Sequence, residues 1–177
     1  MGALILVTVA TNSPLSANQK RRASAKPVGI IGFVRQTFIH GVPYDQASKY
    51  QSGDVPVLLR MLADPKEKRH WSNIVVTLCM IGDDRAADPL IAFIEKKDRG
   101  KLSRSVYTAK TSAIISLGYL INKSGNKKAL TYLTNSLNPN VWTQKKLAWT
   151  SPFQEKRDDR NIQLSTMAVL GLSLSCH

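Results

Sequence analysis

The segment WSNIVVTLCMIGDDRAADPLIAFI, residues 71–94, contains the clearest structural signal in the chain. Two apolar runs are separated by Gly82-Asp83-Asp84, and such a glycine–aspartate turn ends one helix and caps the next. Within each run the apolar side chains return at helical spacing, so they form one continuous face. The two faces are Trp71, Ile74, Val75, Leu78 and Ile81, followed by Ala87, Leu90, Ile91 and Ile94. The segment therefore predicts two amphipathic helices joined by a short turn.

Helical spacing continues on both sides of this segment, from residue 54 onward. Asp64 and Pro65, with Glu67 following the proline closely, predict a helix start with a capping box. Further helices are predicted at about 103–122, 126–137 and 161–175. Their apolar faces are Val106, Ala113, Leu117 and Leu120; Leu130, Leu133 and Leu137; and Met167, Leu170 and Leu174. Residues 54–137 contain no run with the two-residue period of a strand, so the chain is predicted to be all-α.

Similar tripeptides recur late in successive helices, which indicates an internal repeat. They are Thr77-Leu78-Cys79, Ser116-Leu117-Gly118 and Val169-Leu170-Gly171, spaced by 39 and then 53 residues. Residues 81–91 resemble the turn of the HEAT-like repeats named after phycobilisome lyases, and the resemblance covers roughly residues 53–137 and 161–175. It implies a right-handed α-solenoid of about three HEAT-like helix pairs, an armadillo-type superhelix. It implies no particular activity, since such repeats serve many functions.

The repeat domain is predicted to span residues 28–177, with an insertion at 138–160. Residues 1–27 are interpreted as a signal peptide and flexible basic linker. The alternative for their apolar run, residues 3–10, is a short strand or helix of the mature fold, while residues 11–27 resemble a linker. The signal-peptide interpretation favours a periplasmic or extracellular location over the cytoplasm, although no basic residue precedes the apolar run. The sequence stops without a polar capping helix, so we expect either a truncated chain or an end covered by a partner. Residues expected to seal the other end are Phe33, Ile39, Val42 and Tyr44.

Positive charge is concentrated in the middle of the chain. The net charge is +13, and residues 96–128 carry nine basic groups against Asp98 alone. Such a concentration attracts polyanions, and the alternative is a solvated surface that keeps the protein soluble. The candidate polyanion-binding residues are Lys96, Lys97, Arg99, Lys101 and Arg104 at one junction between helices, with Lys127 and Lys128 at another. We expect the two junctions to lie on one edge of the repeats and to form a basic stripe.

The insertion at 138–160 is a second candidate surface, because extra residues within a repeat often form a binding loop. The candidate partner-binding residues are Trp142, Lys145, Lys146, Trp149 and Phe153. Aromatic rings among lysines suit stacking on bases or gripping a peptide. The alternative is that Trp142 and Trp149 fold back and cover the edge of the third helix pair.

No catalytic or metal-binding motif is apparent. The segment from Gly29 to Gly32 lacks the Lys-Ser/Thr of a phosphate-binding loop, and neither a Gly-x-Ser-x-Gly nor a His-Glu-x-x-His sequence occurs. Cys79 and Cys176 are too few and too far apart for a metal site, and they read as one buried and one incidental thiol. No apolar run approaches the ~18 residues needed to cross a bilayer.

The sequence therefore predicts a non-enzymatic protein that has no metal or cofactor and is not an integral membrane protein. The leading hypothesis is a scaffold whose helical-repeat surface holds a protein partner. The alternative hypothesis is nucleic-acid binding through the basic junctions.

Overall fold

The structure, a computed structural model, describes residues 28–153 and 157–176. Within these ranges the chain is mostly helical, which confirms the all-α prediction. The helices are α1 Ile30–Val34, α2 Tyr44–Ala47, α3 Val55–Ala63, α4 Trp71–Ile81, α5 Ala87–Glu95, α6 Arg104–Ser124, α7 Lys127–Asn135, α8 Pro139–Gln144 and α9 Arg157–Leu174. Two-residue strands, β1 Gly100–Lys101 and β2 Trp149–Thr150, pair in parallel. The predicted signal peptide or linker, residues 1–27, lies outside the described residues.

The long helix α6 is the centre of the packing. Its most extensive contacts are with α4 and α9, while α3, α5 and α7 lie against α4, α6 and α9 respectively. The apolar faces predicted for α4 and α6 are buried at every position, from Trp71 to Ile81 and from Val106 to Leu120. Cys79 is also buried, as predicted, and burial raises the pKa of its thiol. Each of these two helices supplies more buried apolar residues than any other helix of the described chain.

The rotation of α9 differs from the prediction. Leu164 and Ala168 are buried, whereas Leu170, which was expected on the inner face, is 45% exposed. The cause is a close crossing of α9 over α6 at two glycines: a Cβ built on Gly118 would lie 2.0 Å from the carbonyl oxygen of Gly171. This contact brings the glycine face of α9 against α6 and turns the leucine outward.

Other apolar predictions fail at the edges of the helical layers. Leu133 of α7 is buried, but Leu130 and Leu137 are exposed, since α7 is covered on one side only. At the N-terminal end Phe33 is buried, whereas Ile39 is 88% exposed and does not seal the stack. Periodicity identifies a helix face but does not show whether a neighbouring element covers it.

The helix starts follow local side-chain chemistry. Asp83 accepts a hydrogen bond from the N–H of Arg85 (2.9 Å), as predicted for a cap, and opens the 3-10 turn Asp84–Ala86 ahead of α5. Asp64 caps only the 3-10 turn Pro65–Glu67, and α4 begins later, at Trp71. The predicted capping box is absent there because the Glu67 carboxylate pairs with Arg35 instead. This ion pair lowers the pKa of Glu67.

Candidate functional site

Both tryptophans of the insertion are fully buried, so neither indole forms an exposed contact surface. The Trp142 Nε1 donates to the carbonyl oxygen of Ser136 (3.1 Å), and its ring meets Tyr132 edge-on. Trp149 lies in β2 with the guanidinium of Arg160 5.2 Å from its ring centroid. This burial agrees with the alternative interpretation, in which both tryptophans fold back onto the helices instead of forming a binding surface. They are core residues because each packs against a neighbouring helix, Trp142 against Tyr132 of α7 and Trp149 against Tyr107 of α6.

The other three candidates of the insertion have different surroundings. Lys145 is half-buried and forms an ion pair with Glu95, and its ammonium lies 4.7 Å from the ring centroid of Tyr132. Lys146 is exposed. Phe153 is 55% exposed, the largest value among the aromatic residues that the structure describes. Of the five predicted partner-binding residues, Lys146 and Phe153 remain accessible.

The two basic junctions lie at opposite ends of α6, and the prediction of a single stripe is wrong. Arg104 opens this helix and Lys127 follows its end, and a helix of 21 residues is about 30 Å long. Lys128 also forms an ion pair with Asp88, which reduces the local excess of positive charge. The charges of residues 96–104 therefore act separately.

We call this group the basic edge: Lys96, Lys97, Arg99, Lys101 and Arg104, all exposed. They occupy the α5–α6 connection and the first position of α6. None of them forms an ion pair with another residue in the described part of the chain. The nearby acids have other partners, since Glu95 pairs with Lys145 and Asp98 with Lys110.

A fully buried lysine anchors the start of this connection. The Lys110 ammonium donates to the carbonyl oxygens of Phe93 (2.7 Å), Ile94 (3.0 Å) and Lys96 (3.3 Å), and it lies 3.2 Å from an Asp98 carboxylate oxygen. It thus satisfies carbonyl groups that the end of α5 leaves without helical partners. Burial lowers the pKa of Lys110, and the Asp98 charge opposes that shift. Lys110 is one of the nine basic residues of the 96–128 segment, but its burial removes it from the charged surface that the sequence predicts.

The strand pair anchors the rest of the connection. The N–H of Gly100 donates to the carbonyl oxygen of Ala148 (3.3 Å), and the N–H of Leu102 donates to that of Thr150 (3.1 Å). Together with the Lys110 contacts, these hydrogen bonds hold the connection at positions 96, 98, 100 and 102. The intervening residues are the exposed cations Lys97, Arg99 and Lys101. This alternation presents three positive charges from a fixed backbone.

Arg104 and Phe153 meet at the end of the strand pair. The parallel register places Lys101 opposite Thr150, and three residues further along each segment come Arg104 and Phe153. The Arg104 guanidinium carbon lies 5.0 Å from the Phe153 ring centroid, within the range of a cation–π contact. The basic edge therefore has an exposed aromatic ring at one end.

Neither protein-family models, nor curated proteins, nor solved structures gave a match to this chain. Within residues 28–153 and 157–176, no cluster of three or more His, Cys, Asp or Glu side chains is suited to a metal ion. Among the described helices, none combines the length and the apolar character that a membrane span requires.

Proposed function

We propose that this protein is a non-enzymatic binding module of three HEAT-like helix pairs, α3–α4, α5–α6 and α7–α9, which binds nucleic acid through its basic edge. The order in which α4, α6 and α9 pack supports the repeat arrangement. The observation that carries the function is the set of exposed cations on the anchored α5–α6 connection. A phosphate backbone is the common cellular polyanion that matches a short row of such charges.

The acidic residues next to the basic edge in the sequence already have cationic partners. Glu95 and Asp98 are the acidic residues closest in sequence to the basic edge. Glu95 is paired with Lys145, which follows α8, and Asp98 is paired with Lys110 of α6. Within the described part of the chain, the cations therefore keep a positive potential that is not compensated by ion pairs and that attracts an extended anion. Counterions released from the phosphates on binding supply free energy that depends on salt concentration.

Fluorescence anisotropy with labelled oligonucleotides tests this proposal. We expect the variant K97Q/R99Q/K101Q to bind more weakly than the wild type and to lower the slope of log K against log[salt] by about 2–3, at ~0.7–0.9 per lost phosphate contact. The matched control K123Q/K127Q/K128Q removes the same charge at the other end of α6. An equal loss of affinity in both variants would show that only net charge matters and would reject the basic edge as the site.

The exposed outer face of α9 favours a second candidate function, a scaffold that binds a protein partner. Ile162, Val169 and Leu170 lie on this face at helical spacing and are all exposed. Exposed apolar side chains that share one helix face suit a protein interface. Affinity capture with the wild type and with Leu170→Lys as bait tests this candidate. Proteins retained by the wild type and lost with the variant would support the scaffold function, and identical captured sets would contradict it.

A further inference from the structure

We infer that the nucleic acid bound at the basic edge is single-stranded, and that Phe153 stacks on one of its bases while Lys101 and Arg104 hold the adjoining phosphates. This inference deepens the proposed function and rests on it. It names a ligand class that charge alone does not distinguish, since duplexes and single strands both carry phosphates.

The position of Phe153 is fixed by its neighbours. Its backbone N–H donates to the Ser151 Oγ (3.1 Å), and its ring meets the Tyr107 ring edge-on with centroids 5.9 Å apart. The Arg104 guanidinium packs against the ring at 5.0 Å. A ring held in this way offers a preorganised stacking surface, and ordering it on binding costs little.

Exposure distinguishes this ring from the other aromatic residues of the described chain. Most of them are buried or half-buried, and after Phe153 the most exposed is Tyr44, at 44%. Tyr44 lies on α2 and packs against Tyr119, with ring centroids 5.7 Å apart. Phe153 therefore combines large exposure with direct contact to a cation of the basic edge, which is the combination found in single-strand binding sites.

The ring favours single strands because of base geometry. In a duplex both faces of each base are covered by its neighbours, so an exposed side chain at the surface gains no stacking contact without opening the helix. An unpaired base is able to leave the stack and lie on an aromatic ring or on an arginine plane. The phosphates on either side of that base then reach Lys101 and Arg104.

The test is an anisotropy titration of the full chain with four probes of about 20 nucleotides, longer than the ~4–16 nucleotides that a small single-strand site covers. The probes are oligo(dT), oligo(rU), a strand of the same length with abasic positions, and a duplex. We expect tighter binding to oligo(dT) and oligo(rU) than to the abasic strand or the duplex. Phe153→Leu should weaken binding to the two base-bearing strands by about fivefold or more, because base stacking contributes roughly 1–3 kcal/mol.

Control variants distinguish a failure of the single-strand inference from a failure of the proposed function. Tyr44→Leu removes an exposed aromatic ring outside the basic edge and should leave all four affinities unchanged. K101Q/R104Q should weaken binding to every probe, whereas Phe153→Leu should leave the duplex and abasic affinities unchanged. Circular dichroism and thermal melting check that each variant is folded.

The remaining outcomes reject specific claims. Equal affinity for all four probes, or an unchanged oligo(dT) affinity in Phe153→Leu, would overturn the single-strand inference and leave the basic edge as a general polyanion site. A failure of the wild type to bind any probe at about 200 mM salt would overturn both the inference and the proposed function.

Discussion

Replacing Lys110 with methionine removes the buried charge that joins α5, α6 and the basic edge. Methionine has a similar length and keeps the apolar stem, but it donates no hydrogen bond. The carbonyl oxygens of Phe93 and Ile94 lose a charged donor at 2.7 and 3.0 Å, and Asp98 loses its partner at 3.2 Å. The substitution therefore isolates the polar contacts of this side chain from its packing.

The expected loss of stability depends on how deeply the former partners of Lys110 are buried. Removing one partner of a buried ion pair costs about 3–5 kcal/mol, chiefly because the other charge stays buried. The Asp98 side chain is 29% exposed, so water recovers part of that loss. The variant also avoids the cost of burying an ammonium. We expect the free energy of unfolding to fall by about 2–4 kcal/mol.

Urea denaturation followed by circular dichroism measures this change. Lys123→Met is the matched control, since it makes the same substitution on the same helix at an exposed position and should change stability by less than about 0.5 kcal/mol. A Lys110→Met variant as stable as the wild type would refute the reasoning. It would mean that the desolvation of the ammonium cancels its contacts and that Lys110 does not hold the end of α5.

Three further substitutions test other contacts. Trp142→Ala should lower the free energy of unfolding by about 3–5 kcal/mol in urea denaturation, because the indole is fully buried; an unchanged midpoint would show that it is not a core residue. Gly118→Ala should lower the melting temperature, since its Cβ would meet the Gly171 carbonyl oxygen, whereas the control Gly53→Ala places its Cβ in open space. Asp83→Asn tests the charge of the residue that caps the 3-10 turn ahead of α5. Arg85 lowers the pKa of Asp83 in the folded state. The charged Asp83 therefore stabilises the folded protein above the usual pKa of 3.8. The stability difference between wild type and Asp83→Asn should therefore shrink as the pH falls below that value, and a constant difference would contradict this account.

The sequence predicted the helices whose apolar faces are covered on all sides. In α4 and α6 every predicted face position is buried, because each of these helices packs against several others. Neighbouring helices therefore cover the whole apolar face that the sequence predicts. The prediction was weaker for α9, where the crossing at Gly118 and Gly171 sets the rotation. A contact between glycine backbones involves no apolar side chain, so the spacing of apolar residues does not reveal it.

The candidate site was predictable in its charges but not in its geometry. The exposed cations from Lys96 to Arg104 were predictable from the concentration of charge along the sequence and from the expected junction between two helices. Their separation from Lys127 depends on the direction of α6, and the burial of Lys110 depends on the position of the last carbonyl groups of α5. Both depend on how the helices pack, which residue types do not reveal.

The alternating anchors of the α5–α6 connection have a consequence for how fast and how tightly a ligand binds. Ordering a free loop on binding costs about 1–2 kcal/mol of backbone entropy per residue, and a connection already held at positions 96, 98, 100 and 102 avoids most of this loss. Binding should then resemble the docking of a rigid surface, with no slow folding step after encounter. Lys110 would contribute to affinity without touching the ligand. Loss of its contacts would free the connection, and binding would then have to remove the backbone entropy that the connection had regained.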